Sequence, residues 1–161
     1  MASLVGILSD SHGEATRTRR AIELLQADGA SVFIHCGDLG TEEVLDAFAG
    51  LQVHAVAGNC DDAGPLIRYG HHLGLDMQHP LGTVEVDGKR LAFTHGDDGA
   101  LLQQAIDAKP DFLFHGHSHL KRDETLQGVR VINPGALHRA LRFTVALLNP
   151  TTGDVKWLSV P

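Results

Sequence analysis

Short apolar, β-branched runs alternate along this chain with stretches whose apolar residues recur at helical spacing. That alternation is the signature of βαβ units: a strand buried on both faces reads as a continuous apolar run, whereas a covering helix is apolar along one stripe. Residues 4–9 form the first such run, and Asp10-Ser11-His12-Gly13 is the turn that leaves it. Over 14–27 the positions Ala21, Ile22, Leu24 and Leu25 share one helical stripe, which Asp28-Gly29 ends. Residues 32–35 and 53–57 predict two further strands, closing on Gly37-Asp38 and on Gly58-Asn59-Cys60-Asp61. Between them Thr41 is placed to cap a helix through Phe48, with Glu42 and Glu43 in its positively polarised first turn.

Residues 62–82 break the pattern. Gly64-Pro65, Gly70, Gly74, Pro80 and Gly82 interrupt it, and the expectation is a loop or lid with at most short helical pieces. Periodicity returns at 83–86 and 90–94, a β-hairpin around Asp87-Gly88, a dipeptide that tolerates the positive φ of a tight turn. A helix over 101–108 stops at Pro110, and strands follow at 112–114, 129–132, 143–148 and 155–160. There is no internal repeat, low-complexity tract or linker, so one domain over 1–161 is expected.

Composition narrows the class of function. The chain is 43% apolar and 20% charged, ordinary for a globular protein, and its formal net charge of −7 argues against coating bulk nucleic acid, which needs a basic stripe. No apolar run is long enough to cross a bilayer, and the opening residues lack the basic lead of a signal peptide. The expected setting is the cytoplasm, away from membranes. Cys36 and Cys60 are too few for a disulfide framework. Eleven histidines, by contrast, are many, and their positions carry information.

The polar clusters fall at strand ends. Asp10 and His12 follow the first strand, Asp38 the second and Asn59 the third; His95 follows the hairpin, and His117 and His119 follow 112–114. Carboxyl ends of strands in open α/β sheets converge on one crevice, so these seven side chains are expected at one rim. They are nitrogen and oxygen donors, suited to Mn²⁺, Fe, Zn²⁺ or Mg²⁺ rather than to a cysteine-built structural zinc site. In an extended segment residues i and i+2 point the same way, so Asp10-x-His12 can clasp one cation. His117-x-His119 can do the same, or give one ring to each of two.

In this order, Asp10-Ser11-His12, Gly37-Asp38, Gly58-Asn59-Cys60-Asp61, Thr94-His95-Gly96, Gly116-His117-Ser118-His119 and Asn133-Pro134-Gly135 resemble the calcineurin-like metallophosphoesterase family. Within it the chain is similar to the small bacterial and archaeal phosphodiesterases that contain little beyond the core. The resemblance spans residues 4–135. It implies an α/β fold, a four-layer α/β/β/α sandwich of two mixed sheets flanked by helices, with a dinuclear metal site on one edge. On the matching positions Asp10, His12, Asp38 and His119 would hold one ion, and Asp38 would bridge to a second completed by Asn59, His95 and His117. The implied reaction is hydrolysis of a small phosphate ester, a diester before a monoester, by a hydroxide bridging two divalent ions. Asp38, Asn59 and His95 are then the residues expected at the reacting phosphate. Mn²⁺ is the expected metal, with Zn²⁺, Fe, Ni²⁺ and Mg²⁺ as alternatives. Small members of the family often form dimers or tetramers, so a homodimer or homotetramer is the expected partner state.

Two positions depart from the family pattern. Cys60 stands where relatives of wider range carry a histidine that protonates the leaving group, which favours diesters with good leaving groups. Asp97 stands where close relatives often carry histidine, leaving the pocket wall open. Asp61 and Asp97 are expected as acceptors that orient the His95 and His117 rings. A non-catalytic scaffold, resembling the retromer subunit of the same fold, is the competing reading.

Among the remaining histidines, His35 and His54 are expected in the core or on a sheet face. His71, His72 and His79 are expected as solvated loop residues, with reach over the site by His71 or His72 as the lesser alternative. His115 is expected to pack beside it, and His138 to lie on the surface. Cys36 reads as a small buried residue, and Arg17, Arg19 and Arg20 as a solvated basic face. Arg139 and Arg142 could touch a substrate phosphate, but nothing in the pattern places them there.

Overall fold

The computed structural model describes residues 1–161. Eleven strands and four helices follow one another along the chain. A first sheet is built from β1 (Leu4–Leu8), β2 (Ala30–His35), β3 (Gln52–Ala55), β4 (Asp76–Met77), β10 (Phe143–Leu148) and β11 (Val155–Val160), in the order β11-β10-β1-β2-β3-β4. The second holds β5 (Leu81–Val86), β6 (Lys89–Thr94), β7 (Phe112–Phe114), β8 (Arg122–Leu126) and β9 (Val129–Asn133), in the order β5-β6-β7-β9-β8. Both sheets are mixed. Strands β1 to β4 run parallel in the first and β6, β7 and β9 in the second, while β1–β10, β10–β11, β5–β6 and β8–β9 pair antiparallel.

Side-chain alternation decides what lies on each face. Val5, Ile7, Val32 and Ile34 project between the sheets and meet Leu91, Phe93, Phe112 and Phe114 there. Their neighbours in sequence face outward: Leu8 and Phe33 pack under α1 (Ala15–Ala27), α2 (Glu42–Asp46) and α3 (Ala63–His72), through Leu25, Val44, Leu45 and Leu66. On the other side Ala92, Leu113 and Val131 meet Ala105 and Ile106 of α4 (Gly99–Asp107). The result is the expected α/β/β/α sandwich. Strand residues apolar on both faces are the physical reason why these runs looked continuous in the sequence.

Several boundaries differ from expectation. Residues 63–72 form a full helix, α3, rather than a loop; Leu66 and Gly70 are its buried face, and Gly70 sits so close to Met77 that a side chain there would overlap it. The glycine that argued against a helix is the residue that lets the helix dock. α2 stops at Asp46, two residues before Phe48, and the Thr41 side chain makes no capping bond. α4 begins at Gly99, earlier than expected, because Asp98 accepts from the amides of Ala100 and Leu101 at 3.0 and 3.1 Å. Strand β8 was not expected: four of its five residues are polar, and it is an exposed edge held by pairing to β9.

Candidate metal centre

Every candidate residue sits just beyond the carboxyl end of a parallel strand: Asp10 and His12 after β1, Asp38 after β2, Asn59 after β3, His95 after β6, His117 and His119 after β7. The two sheets therefore contribute to one rim. Five of the nine non-glycine residues with positive φ are among these seven: Asp10, Asp38, His12, His117 and His119. Left-handed backbone at such residues is uncommon, and its concentration here means the surrounding bonds hold this geometry against local preference.

Those bonds are visible. The Asp10 amide donates to the Gly37 carbonyl, and the His12 amide to the Asp38 carbonyl, each at 2.9 Å, so the first two loops are stitched together. Asp10 Oδ2 accepts from Ser9 Oγ at 2.6 Å and from the His117 amide at 3.0 Å, tying the first sheet to the second. Asp38 Oδ1 accepts from the Cys60 amide at 2.9 Å. Asn133 donates from Nδ2 to the Gly116 carbonyl at 3.1 Å and to Ser118 Oγ at 3.0 Å, bracing the loop of His117 and His119. A Cβ at Gly58 would overlap Asp38 Oδ1, and one at Gly116 would overlap Ser9 Oγ and Asp10 Oδ2, so these two glycines are spatial necessities.

With one oxygen of each carboxylate engaged in this way, the other faces imidazoles. Asp38 Oδ2 lies 3.1 Å from His95 Nε2 and 3.4 Å from His12 Nε2; Asp10 Oδ1 lies 3.2 Å from His119 Nε2 and 3.7 Å from His12 Nε2. Yet Asp10 Oδ1, His12 Nε2 and His95 Nε2 are buried without making a hydrogen bond. Buried polar atoms are seldom left so, because the desolvation cost is not recovered. Three of them converging on carboxylates fit a cation, which would take their lone pairs. Donor atoms of Asp10, His12 and His119 come within 4.8 Å of one another, as do those of Asp10, Asp38 and His95. Asp38 Oδ2 is the atom both groups of histidines share.

Tautomers support the same reading. His95 Nδ1 is 2.8 Å from the Cys36 carbonyl, which can only accept, so Nδ1 carries the proton and Nε2 is turned to the site. His119 Nδ1 is likewise 3.3 Å from the Arg139 carbonyl. Without a cation, burial pushes His95 toward neutrality, but Asp38 and the Cys36 carbonyl outweigh it and raise its pKa to about 9, so a bound cation would displace a second proton from Nε2. Burial pushes Asp38 up, and the His95 ring and Cys60 amide more than reverse that, holding it at about 2. The His117 ring packs edge-on against His95 with centroids 5.2 Å apart.

The structure corrects several supporting roles. The partner of His95 is the Cys36 carbonyl, not Asp61 or Asp97. Asp61 instead accepts from the amides of Leu39, Gly40 and Gly58 at 3.0, 2.9 and 2.9 Å, because its place in the turn after β3 faces the backbone of both loops. Asp97 is exposed and lines a cavity of about 370 Å³ with Asn59, His79, Pro80, His95 and Asp98. His79, rather than His71 or His72, is thus the histidine from 62–82 that comes beside the site; His71 is turned to the Met77 carbonyl at 3.2 Å, and His72 packs near Tyr69.

Cys60 is exposed, and its sulfur comes within the donor cluster of His12 and Asp38; the nearby Asp38 carboxylate raises its pKa. His138 is not a plain surface residue: its ring centroid is 5.0 Å from that of His12, and Nδ1 is 3.3 Å from Glu14. Arg17 is not part of a solvated face. It donates to the Leu137 carbonyl at 2.7 Å and lies 3.8 Å over the Phe143 ring, so it clamps the segment after Asn133-Pro134-Gly135. Neither role had a sequence signal, since both depend on contacts more than a hundred residues apart in the chain.

Residues 4–153 match the calcineurin-like phosphoesterase superfamily domain. The chain belongs to that superfamily. It is 29% identical over 136 residues to a phosphodiesterase of Methanocaldococcus jannaschii, covering 81% of this chain and 82% of that one. Among solved structures it is similar to a novel archaeal phosphodiesterase, with a TM-score of 0.87 and 26% identity over 97% of this chain and 99% of the other. The Zn²⁺ complex of Vps29 from Entamoeba histolytica shares the fold, with a TM-score of 0.61 and 20% identity over 98% of each chain. This chain is therefore a calcineurin-like phosphoesterase by family, with the candidate ligand groups of a metal centre on one edge of its sandwich. No helix is long and apolar enough to cross a membrane.

Proposed function

We propose that this phosphoesterase is a metal-dependent phosphodiesterase that acts on a small phosphate ester through a pair of divalent cations. The observation that carries the reading is the convergence of Asp10 Oδ1, His12 Nε2 and His95 Nε2, buried and without hydrogen bonds, around Asp38. Asp10, His12, Asp38 and His119 would hold one ion; Asp38, Asn59, His95 and His117 would hold the other. Mn²⁺ suits this hard and borderline donor set, and Zn²⁺, Fe, Ni²⁺ or Mg²⁺ are the alternatives to be compared. When bound, such a pair supplies Lewis acidity to the phosphoryl oxygens and a nucleophile from water at neutral pH.

The chain's own groups do the rest. Asp38, whose Oδ2 faces both His12 and His95, ties the two donor sets together. The Cys36 and Arg139 carbonyls keep the proton of His95 and His119 on Nδ1, so that Nε2 remains a donor. Asn59 is exposed at the mouth of the cavity that His95 and Asp97 also line, in position to orient a phosphate oxygen. Diester preference rests on Cys60, a thiol where a protonated imidazole would assist an alkoxide, and on the named activity of the 29% identical relative.

The scaffold alternative rests on fold likeness to Vps29 alone, and because a Vps29 is itself known in complex with Zn²⁺, turnover rather than metal binding separates it from the enzyme. Asp38→Asn, measured for metal content by elemental analysis and for diester turnover, separates the two readings. Loss of bound metal and a fall in turnover of at least about a thousandfold, in a folded variant, support the enzyme; unchanged values overturn it.

A further inference from the structure

Two cavities open beside the candidate centre, and they differ in charge. The one at Asn59 and His95 carries Asp97 and Asp98. The other, about 450 Å³, begins at Ser118 and His119 and is walled by Lys121, Arg139 and Arg142. They share no residue. The second is joined to the centre by bonds already described: the Arg139 carbonyl faces His119 Nδ1, and Ser118 Oγ is held by Asn133. None of the three cations has a carboxylate partner, whereas Arg122 and Arg130 on the adjacent β8–β9 hairpin are paired with Glu124 and Asp123. Lys121 and Arg142 are exposed, with Lys121 lying 5.5 Å over the Trp157 ring.

A protein of net charge −7 repels anions in general. Three uncompensated cations gathered at one mouth of the centre reverse that locally, and a concave wall concentrates their field. A diester held at the centre has two arms. An arm bearing a further phosphate is repelled from Asp97 and Asp98 and attracted to Lys121, Arg139 and Arg142, where guanidinium forks match phosphate oxygens.

We propose that the preferred substrate is an asymmetric phosphodiester, one arm of which carries a second anionic group, and that Lys121, Arg139 and Arg142 form its subsite. This rests on the phosphodiesterase reading and adds the class of substrate. The subsite is remote from the reacting phosphorus, so its contacts are made equally in ground and transition states and act on KM rather than kcat.

The test compares two chromogenic diesters that differ only in the added charge: thymidine 5′-(p-nitrophenyl phosphate) and the same compound with a 3′-phosphate. Both are assayed with the Mn²⁺-loaded full chain. The expected result is a KM about tenfold lower for the 3′-phosphorylated compound, shrinking as salt is raised. The double variant Lys121→Gln/Arg142→Gln should abolish that preference, while Arg19→Gln, which removes a cation from the exposed face of α1, should keep it. Equal KM values in the native chain, or a preference that survives the double variant, would overturn the subsite. If bis-p-nitrophenyl phosphate is turned over and the preference is absent, only the subsite falls. If no diester is turned over, the phosphodiesterase reading falls and takes the subsite with it.

Discussion

His35 Nε2 lies 2.8 Å from Ser11 Oγ, and because His35 Nδ1 accepts from the Gly37 amide at 3.1 Å, the ring is neutral and donates to that hydroxyl. A single buried imidazole at the end of β2 thereby joins the loop that carries Asp10 and His12 to the loop that carries Asp38. Burial, with His95 nearby, pushes its pKa down to about 3. The unfolded chain binds a proton at this position below about pH 6.5, and the folded chain does not until about pH 3. Stability from this group is therefore complete above pH 6.5 and is lost as pH falls toward 3.

His35→Gln keeps a donor and an acceptor on a side chain that does not titrate. In metal-free protein, urea unfolding should show the native chain losing stability relative to this variant between pH 6.5 and 4, by up to about 1.4 kcal/mol per pH unit. Parallel profiles would contradict a neutral buried His35.

Asp61 binds three amides from two loops, which makes it a positioning residue for Asp38 and Asn59. Asp61→Asn turns one acceptor into a donor facing an amide, at a cost of about 1–3 kcal/mol in stability. Metal affinity should drop by roughly 10–100-fold, the usual penalty when support behind ligands is removed. Asp97→Asn should leave metal affinity in place and change KM, because Asp97 lines the cavity without bracing a ligand loop. Competition with a chromogenic chelator reads metal affinity and diester kinetics read KM; equal effects of the two variants on metal affinity would show that the assignments are wrong.

Cys60→His restores a proton donor beside Asp38. General acid assistance is worth roughly 10²–10⁴-fold where the leaving group is poor. Turnover of an alkyl phosphate monoester should therefore rise by at least about tenfold, with little change for p-nitrophenyl esters, whose leaving group needs no proton. An unchanged alkyl monoester rate would mean that the residue at 60 does not face the leaving group.

Most of the strand framework was legible, as was the place of the seven candidate residues just beyond strand ends, because strands buried on both faces leave continuous apolar runs and these polar residues sit where the runs stop. What escaped had contacts rather than pattern as its cause. α3 was hidden by Gly70, which the helix needs to pack on Met77, and β8 by its polar composition as an exposed edge. The Cys36 carbonyl behind His95 had no signal at all, since a backbone group offers the same acceptor whatever its side chain. Arg17, His138 and the cationic cavity arise from segments far apart in the chain, which periodicity does not reach.

The central claim is that the Asp10–Asp38–His95 cluster is a working metal centre for diester hydrolysis. Turnover of bis-p-nitrophenyl phosphate by chelator-stripped protein, with and without added Mn²⁺, tests it directly. Turnover is expected to be negligible without metal, to be restored by Mn²⁺, and to exceed that of p-nitrophenyl phosphate. A folded protein that stays inactive with Mn²⁺, Zn²⁺, Fe²⁺, Ni²⁺ and Mg²⁺ alike would contradict it.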